Sequence, residues 1–212
     1  IAVAETPEFT SPDLDTYMNT WLNARLAHLP RADGDADFPI LMVAAEGGGA
    51  RAAYWTGSVL GELDSTKPAS GLAARDHIFM ISGVSGGSVG AATYGASLVY
   101  GDEDNQAVSK TVQQFLTQDF LSPVTAGALY HDFFTDFVPF PLTALDRSRW
   151  LEGSWTTGWT RAAPGSELFS EDFRRLWTGG TRASLGALNA VPLLVFNTTS
   201  VRSGSTWMVS PV

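Results

Sequence analysis

Ser85 lies in the run Gly83-Val84-Ser85-Gly86-Gly87, with a glycine two residues away on either side. A serine hydroxyl is a weak nucleophile. Acyl chemistry on it needs a backbone that exposes the oxygen and donors that stabilise the charge it creates. The G-x-S-x-G spacing meets both needs when a strand leads in and a helix leads out. The turn is then so sharp that side chains at 83 and 87 would strike neighbouring backbone, hence the glycines. The amides that open the following helix favour negative charge at the serine. Ser82 and Ser88 are the nearest rivals, and neither has paired glycines. Ser85 is the expected nucleophile.

A second glycine run, Gly47-Gly48-Gly49, also falls where a strand should give way to a helix. Residues without side chains let backbone N–H groups approach a ligand oxygen closely, as an oxyanion hole or a phosphate cradle requires. Together with the Gly86 amide, these donors form the expected oxyanion hole, each typically worth about 10²–10³ in rate. A Walker loop would end in Gly-Lys-Ser/Thr, and this one continues Ala50-Arg51-Ala52; the G-x-G-x-x-G of a dinucleotide fold is absent too. Arg51 falls in the first turn of the helix, the end where a cation is disfavoured. That placement calls for a partner, either a nearby carboxylate or a substrate phosphate.

Positioning these groups asks for a strand before each glycine run and a helix after it. Residues 38–45 are continuously apolar, as in a strand buried on both faces. A helix over 52–63 should bury Tyr54, Val59, Leu60 and Leu63. The strand 78–82 enters the serine turn, and a helix of small residues, 88–100, leaves it. Further helices are expected over 108–121 and 167–178, the latter stopped by Gly179-Gly180. A third buried strand, 191–198, turns at Ser203-Gly204 into a returning arm, 206–209. Upstream, a tail over 1–10 leads to Ser11-Pro12-Asp13, a helix start. Leu14, Met18, Trp21, Leu22, Arg25 through its stem, Leu26 and Leu29 follow at helical spacing, and 31–37 is a polar linker. This order gives an α/β fold: a central, mostly parallel sheet between helices, in three layers.

Composition mainly excludes. A formal charge of −9 disfavours nucleic acid and docking on anionic lipid through a polybasic segment. The absence of cysteine removes disulfides, thiolate nucleophiles and Cys-based zinc sites, and no metal or cofactor is expected. The low-charge stretch 83–101 is mostly Gly, Ala and Ser, too poor in bulky apolar residues for a membrane span, and no signal-peptide pattern is found. The expectation is a soluble domain fragment of open compartment. Residues 115–159 hold Phe120, Tyr130, Phe133, Phe134, Phe137, Phe140, Trp150, Trp155 and Trp159, interrupted by Pro123, Pro139 and Pro141. As a set they suit an acyl-binding wall or contact with a bilayer interface.

Glu46-Gly-Gly-Gly-Ala-Arg51 before a helix, followed by Gly83-Val-Ser-Gly-Gly87, resembles the patatin-like phospholipases. Arg51-Ala52 is similar to the glycine loop G-G-G-x-R-A of the cytosolic phospholipase A branch, and the 38 residues from Gly47 to Ser85 suit that family. The resemblance covers 38–100 well and 191–209 more loosely. It implies a serine lipid acyl hydrolase that cleaves carboxylic esters of phospholipids or other acyl lipids. The implied catalytic pair is Ser–Asp without histidine, acting through an acyl-enzyme. His28 and His77 then read as structural, and His131 is the one rival base.

The family's aspartate stands in a D-G-G or D-G-A motif after the strand and hairpin. Here the last aspartate is Asp172 and neither motif occurs. The resemblance therefore implies one catalytic domain over 1–212, incomplete at its C-terminal end: either the chain is truncated or cleaved, or the base comes from a separate downstream segment, and no aspartate of this chain is assigned to it. Its parts would be 1–37 (tail, helix and linker), 38–100 (glycine loop and serine turn), 101–190 (helical, aromatic cap) and 191–212 (strand and hairpin). A general α/β-hydrolase esterase, which needs an acid and then a histidine after Ser85, is the alternative of the same class. A non-catalytic domain of patatin fold is the alternative from another class.

Overall fold

The structure is a computed structural model that describes residues 12–27, 38–66, 73–101, 105–132, 147–178 and 191–212. The tail, the linker 31–37, His28, Leu29 and the aromatics Phe133, Phe134, Phe137 and Phe140 lie outside them. So do the side chains of Tyr130 and His131.

Helix α1, Leu14–Leu26, starts two residues later than a Ser11 cap implies. The Asp13 carboxylate accepts hydrogen bonds from the Thr16 amide at 2.9 Å and hydroxyl at 2.8 Å, which makes Asp13 the N-cap. Its buried stripe is Tyr17, Trp21 and Arg25, while Leu14 and Leu26 face outward. The aromatic rings win the core because Trp21 and Tyr17 both pack on Phe79 of the central strand. A large side chain fully buried is worth roughly 1.5–3 kcal/mol. Arg25 is buried whole, its guanidinium over the Trp21 ring at 4.1 Å and its Nε–H donating to the Asp76 carbonyl.

Four strands follow in the order β1-β2-β3-β4: β1 (Leu41–Ala45), β2 (Ile78–Val84), β3 (Leu193–Thr199) and β4 (Thr206–Val209). The first three are parallel, and β4 returns antiparallel through a turn with Gly204 at φ 69°. The mixed α/β class with a mostly parallel sheet is as expected. One strand face carries Val43, Ile81 and Leu194 and is covered by α3 (Gly86–Tyr100), whose Gly95 lies against Leu194 and Val191. The expectation of a β1 buried on both faces fails among the described residues. There β1 is an edge strand, and Met42, on the opposite face, is 63% exposed.

Helix α2, Gly49–Ser65, is longer than expected and turned about its axis. It buries Ala53, Thr56, Gly57, Leu60, Gly61 and Asp64, whereas Tyr54, Val59 and Leu63 are exposed. Small residues face inward because α3 and α4 (Asn105–Leu116) close on them. A side chain at Gly57 would strike Leu116 and Val112, and Gly61 faces Ser109. Asp64 is buried in an ion pair with Arg75 at 2.9 Å.

The expected helix 108–121 splits into α4 and a short α5, Leu121–Ala126, which runs into the π-helical turn Gly127–Asp132. Asp119 breaks it by accepting from the Leu121 and Ser122 amides. A 16-residue helix, α6 (Arg147–Ala162), lies within the region 101–190, where the sequence predicts no individual helix over these residues. It is anchored by Trp159, buried between Phe115 and Phe169. Trp159, with Trp155 and Phe120 partly buried beside it, thus belongs to the core rather than to an open acyl wall. The expected helix 167–178 is mostly turns, with only α7, Arg175–Thr178, helical. Asp172 accepts from the Arg174 backbone and side chain, and this local pairing competes with a longer helix.

Candidate active site

Both glycine runs lie at the C-terminal ends of parallel strands, and each opens a helix. That end of an open α/β sheet is where ligands bind. Ser85 follows β2 and is the N-cap of α3, at φ 52° and ψ −121°. Among the described residues it is the one non-glycine with positive φ. Such a conformation costs of order 1–3 kcal/mol and persists where the surroundings impose it.

Those surroundings are backbone. A Cβ at Gly83 would stand 2.8 Å from Ser88 Cα, and one at Gly87 would stand 2.5 Å from the Ala45 carbonyl oxygen and 2.6 Å from that of Glu46. At Gly86 a Cβ would overlap the Gly49 carbonyl. The end of β1, the glycine loop and the serine turn are therefore locked against one another. Gly47 completes the contact, since a Cβ there would stand 3.4 Å from Ser85 Cβ. Gly48, at φ 149°, is the N-cap of α2, and Gly49 follows at φ 60°.

Neither Gly48 nor Ser85 caps its helix with a side chain. Two long helices thus begin side by side with first-turn amides that their N-cap side chains leave free, next to the Ser85 hydroxyl. Ser85 is exposed, Ser88 Oγ is buried, and Ser82 Oγ accepts from Asn197 Nδ2 at 2.9 Å. The same amide nitrogen donates to the Gly83 carbonyl at 3.2 Å. Asn197, on β3 opposite Val84, thereby ties the neighbouring strand to the serine turn. Sequence reading did not single it out; its position in the third strand, in register with the turn, was the available signal.

Among the described residues no carboxylate or imidazole is hydrogen-bonded to Ser85. Asp13 and Asp119 cap helices, and Asp64 pairs with Arg75. Asp172 pairs with Arg174 at 2.6 Å, and that hydrogen bond holds its carboxyl down at about 2. His77 Nδ1 lies 2.9 Å from the Pro39 carbonyl with its ring against Phe38, in the structural role expected of it. No group of three or more potential metal-ligating side chains occurs among the described residues, and no described helix is long and apolar enough to cross a membrane.

Arg51 is the third residue of α2 and is exposed. It lines a cavity of about 660 Å³ together with Glu46, Gly47, Gly48, Trp55 and Thr56. Of the two partners expected for it, a nearby carboxylate is present in Glu46, but Arg51 forms no ion pair with a carboxylate among the described residues.

No family model matches the chain, and no curated protein matches it in sequence. Among solved structures it is similar to human GIVD cytosolic phospholipase A2, at a TM-score of 0.51 and 15% identity over 99% of this chain. The same human protein in complex with methyl gamma-linolenyl fluorophosphonate matches at a TM-score of 0.48 and 20% identity over 93% of this chain. The chain spans about 28% of the length of the first of these. At such identities the likeness is one of fold, a mixed α/β sheet flanked by helices.

Proposed function

We propose that this chain carries the nucleophile of a serine lipid acyl hydrolase. The observation that supports it best is Ser85 itself: exposed, at positive φ, and packed against a glycine loop at the C-terminal ends of the strands. In the proposed reaction Ser85 Oγ attacks the ester carbonyl carbon and gives its proton to a base, while amides at Gly47, Gly48, Gly49 and Gly86 hold the oxyanion. The carbonyl re-forms, the alcohol leaves with that proton, and water then releases the acid from the acyl-enzyme. Gly83 and Gly87 keep the turn tight. Arg51 receives the phosphate of a phospholipid presented at a membrane surface.

The base is proposed to be an aspartate on a separate segment following the β3–β4 hairpin, as the family resemblance implies. A non-catalytic lipid-binding domain is the second reading, favoured by the lack of a base on Ser85 among the described residues. Labelling with a fluorophosphonate, mapped to a peptide and controlled by Ser85→Ala, tests the proposal. It is run on this chain and on one continued past Val212. A label on Ser85 in either supports the hydrolase. No label in both removes it and leaves the binding domain.

A further inference from the structure

The cavity beside the glycine loop holds more than a site for phosphate. Arg51 and Trp55 are four residues apart on α2, hence neighbours on one helix face, and Glu46, which follows β1, lines the same cavity. The three side chains offer one guanidinium, one carboxylate and one indole. Among the described residues, neither charge is in an ion pair, with the other or with anything else. Trp55 is 71% exposed. Gly47 lines this cavity, and a Cβ added to it would stand 3.4 Å from Ser85 Cβ, so the cavity borders the nucleophile.

A ligand that satisfies all three groups carries an anion and, a few bonds away, a cation with an apolar surface. The guanidinium takes a phosphate through paired N–H donors. The indole face attracts a cation, above all one whose methyl groups also gain from apolar contact. The carboxylate supplies the opposite charge. A phosphate monoester or a phosphatidylglycerol headgroup carries no cation and would leave Glu46 and Trp55 unused.

We infer that Trp55 and Glu46 form a subsite for the quaternary ammonium of a choline phosphate headgroup, with Arg51 on its phosphate. The inference rests on the hydrolase reading for its orientation: the headgroup lies over the start of α2 and the acyl ester reaches Ser85. It adds a selectivity that neither the serine nor the glycine loop can provide.

The test uses soluble headgroups on the full chain, so that it does not depend on turnover. Binding of phosphocholine, phosphoethanolamine and glycerol 3-phosphate is measured by calorimetry for the wild type and for Trp55→Leu, Trp55→Phe, Glu46→Gln and Arg51→Gln. Phosphocholine should bind about fivefold more tightly than glycerol 3-phosphate, with phosphoethanolamine between them. Trp55→Leu should abolish that preference while Trp55→Phe keeps part of it. Glu46→Gln should weaken the two cationic ligands only, and Arg51→Gln all three alike. Equal binding of phosphocholine and glycerol 3-phosphate, or a preference that survives both Trp55→Leu and Glu46→Gln, overturns the inference. Trp55 and Glu46 are exposed, so these variants should leave the fold intact. Labelling of Ser85 by a fluorophosphonate without a headgroup reports on the nucleophile alone. A failure there falls on the hydrolase reading, and a failure of the choline preference falls on the subsite.

Discussion

The carbonyl of Gly49 occupies the space that a side chain at Gly86 would need. The two residues are 37 apart in sequence, yet each opens a helix at the end of a parallel strand, and their backbones meet without an intervening atom. The glycine loop and the serine turn are thereby one rigid unit. Any shift of one must move the other.

Gly86→Ala should therefore be among the most damaging single-methyl changes in the chain. Both partners are backbone, so neither can rotate away, and the expected destabilisation is about 2–3 kcal/mol. Gly49→Ala meets no atom within 4 Å and bears only the strain of φ 60°, about 1 kcal/mol. Urea denaturation of the two variants should show this difference. Equal losses would mean that the contact with the Gly49 carbonyl is relieved by movement.

Ser85→Gly should raise stability, because glycine accepts φ 52° and ψ −121° without steric cost. Relief of strain exceeds the added freedom of the unfolded chain by about 1 kcal/mol. Ser85→Ala keeps the Cβ and should melt with the wild type. A Ser85→Gly protein no more stable than Ser85→Ala would show that the turn holds no strain at the serine.

Asn197 supports the turn from the next strand through Ser82 Oγ and the Gly83 carbonyl. Asn197→Leu removes both bonds and should cost about 1–2 kcal/mol. As a positioning residue it should also slow Ser85 labelling by about tenfold, measured well below the melting temperature. Lower stability with an unchanged labelling rate would make its role purely structural.

The serine turn of this chain was more legible in sequence than its packing. Gly83, Ser85 and Gly87 state their turn directly, because few other residues fit a strand-to-helix corner so tight. The helices were harder. On α2 the large apolar residues Tyr54, Val59 and Leu63 suggested the buried face, but the core takes Ala53, Gly57 and Gly61. Hydrophobicity cannot reveal that, since the reason is how closely α3 and α4 approach. In α6, Gly153, Gly158 and three threonines lower helix propensity, and tertiary burial of Trp159 overrides it. The partners of Asp119 and Asp172 are local, yet whether a carboxylate caps a turn or continues a helix depends on the same tertiary frame.

The α2 face makes its own prediction. Gly57→Ala places a methyl against Leu116 and Val112 and should destabilise by about 1–2 kcal/mol. Tyr54→Ser, on the exposed side, should change stability by less than about 0.5 kcal/mol. Thermal melts of the pair check it. A larger loss at Tyr54 would mean that the outer face of α2 is covered in solution.

Tyr17 gives the chain an alkaline weakness. Burial pushes its phenol up to about 12 from an ordinary value of 10.0, although the nearby Arg25 charge works in the other direction. The folded chain thus keeps the proton at a pH where the unfolded chain has released it. Stability from this group is complete below about pH 10 and is lost as pH rises toward 12, by about 2–3 kcal/mol at most. Tyr17→Phe keeps the ring against Phe79 and gives up the hydroxyl that donates to the Val191 carbonyl at 3.4 Å. It should be slightly less stable near pH 8 and should lose less stability than the wild type between pH 10 and 12. Denaturant titrations across that range would show the two curves converging. Parallel curves would mean that Tyr17 titrates alike in both states.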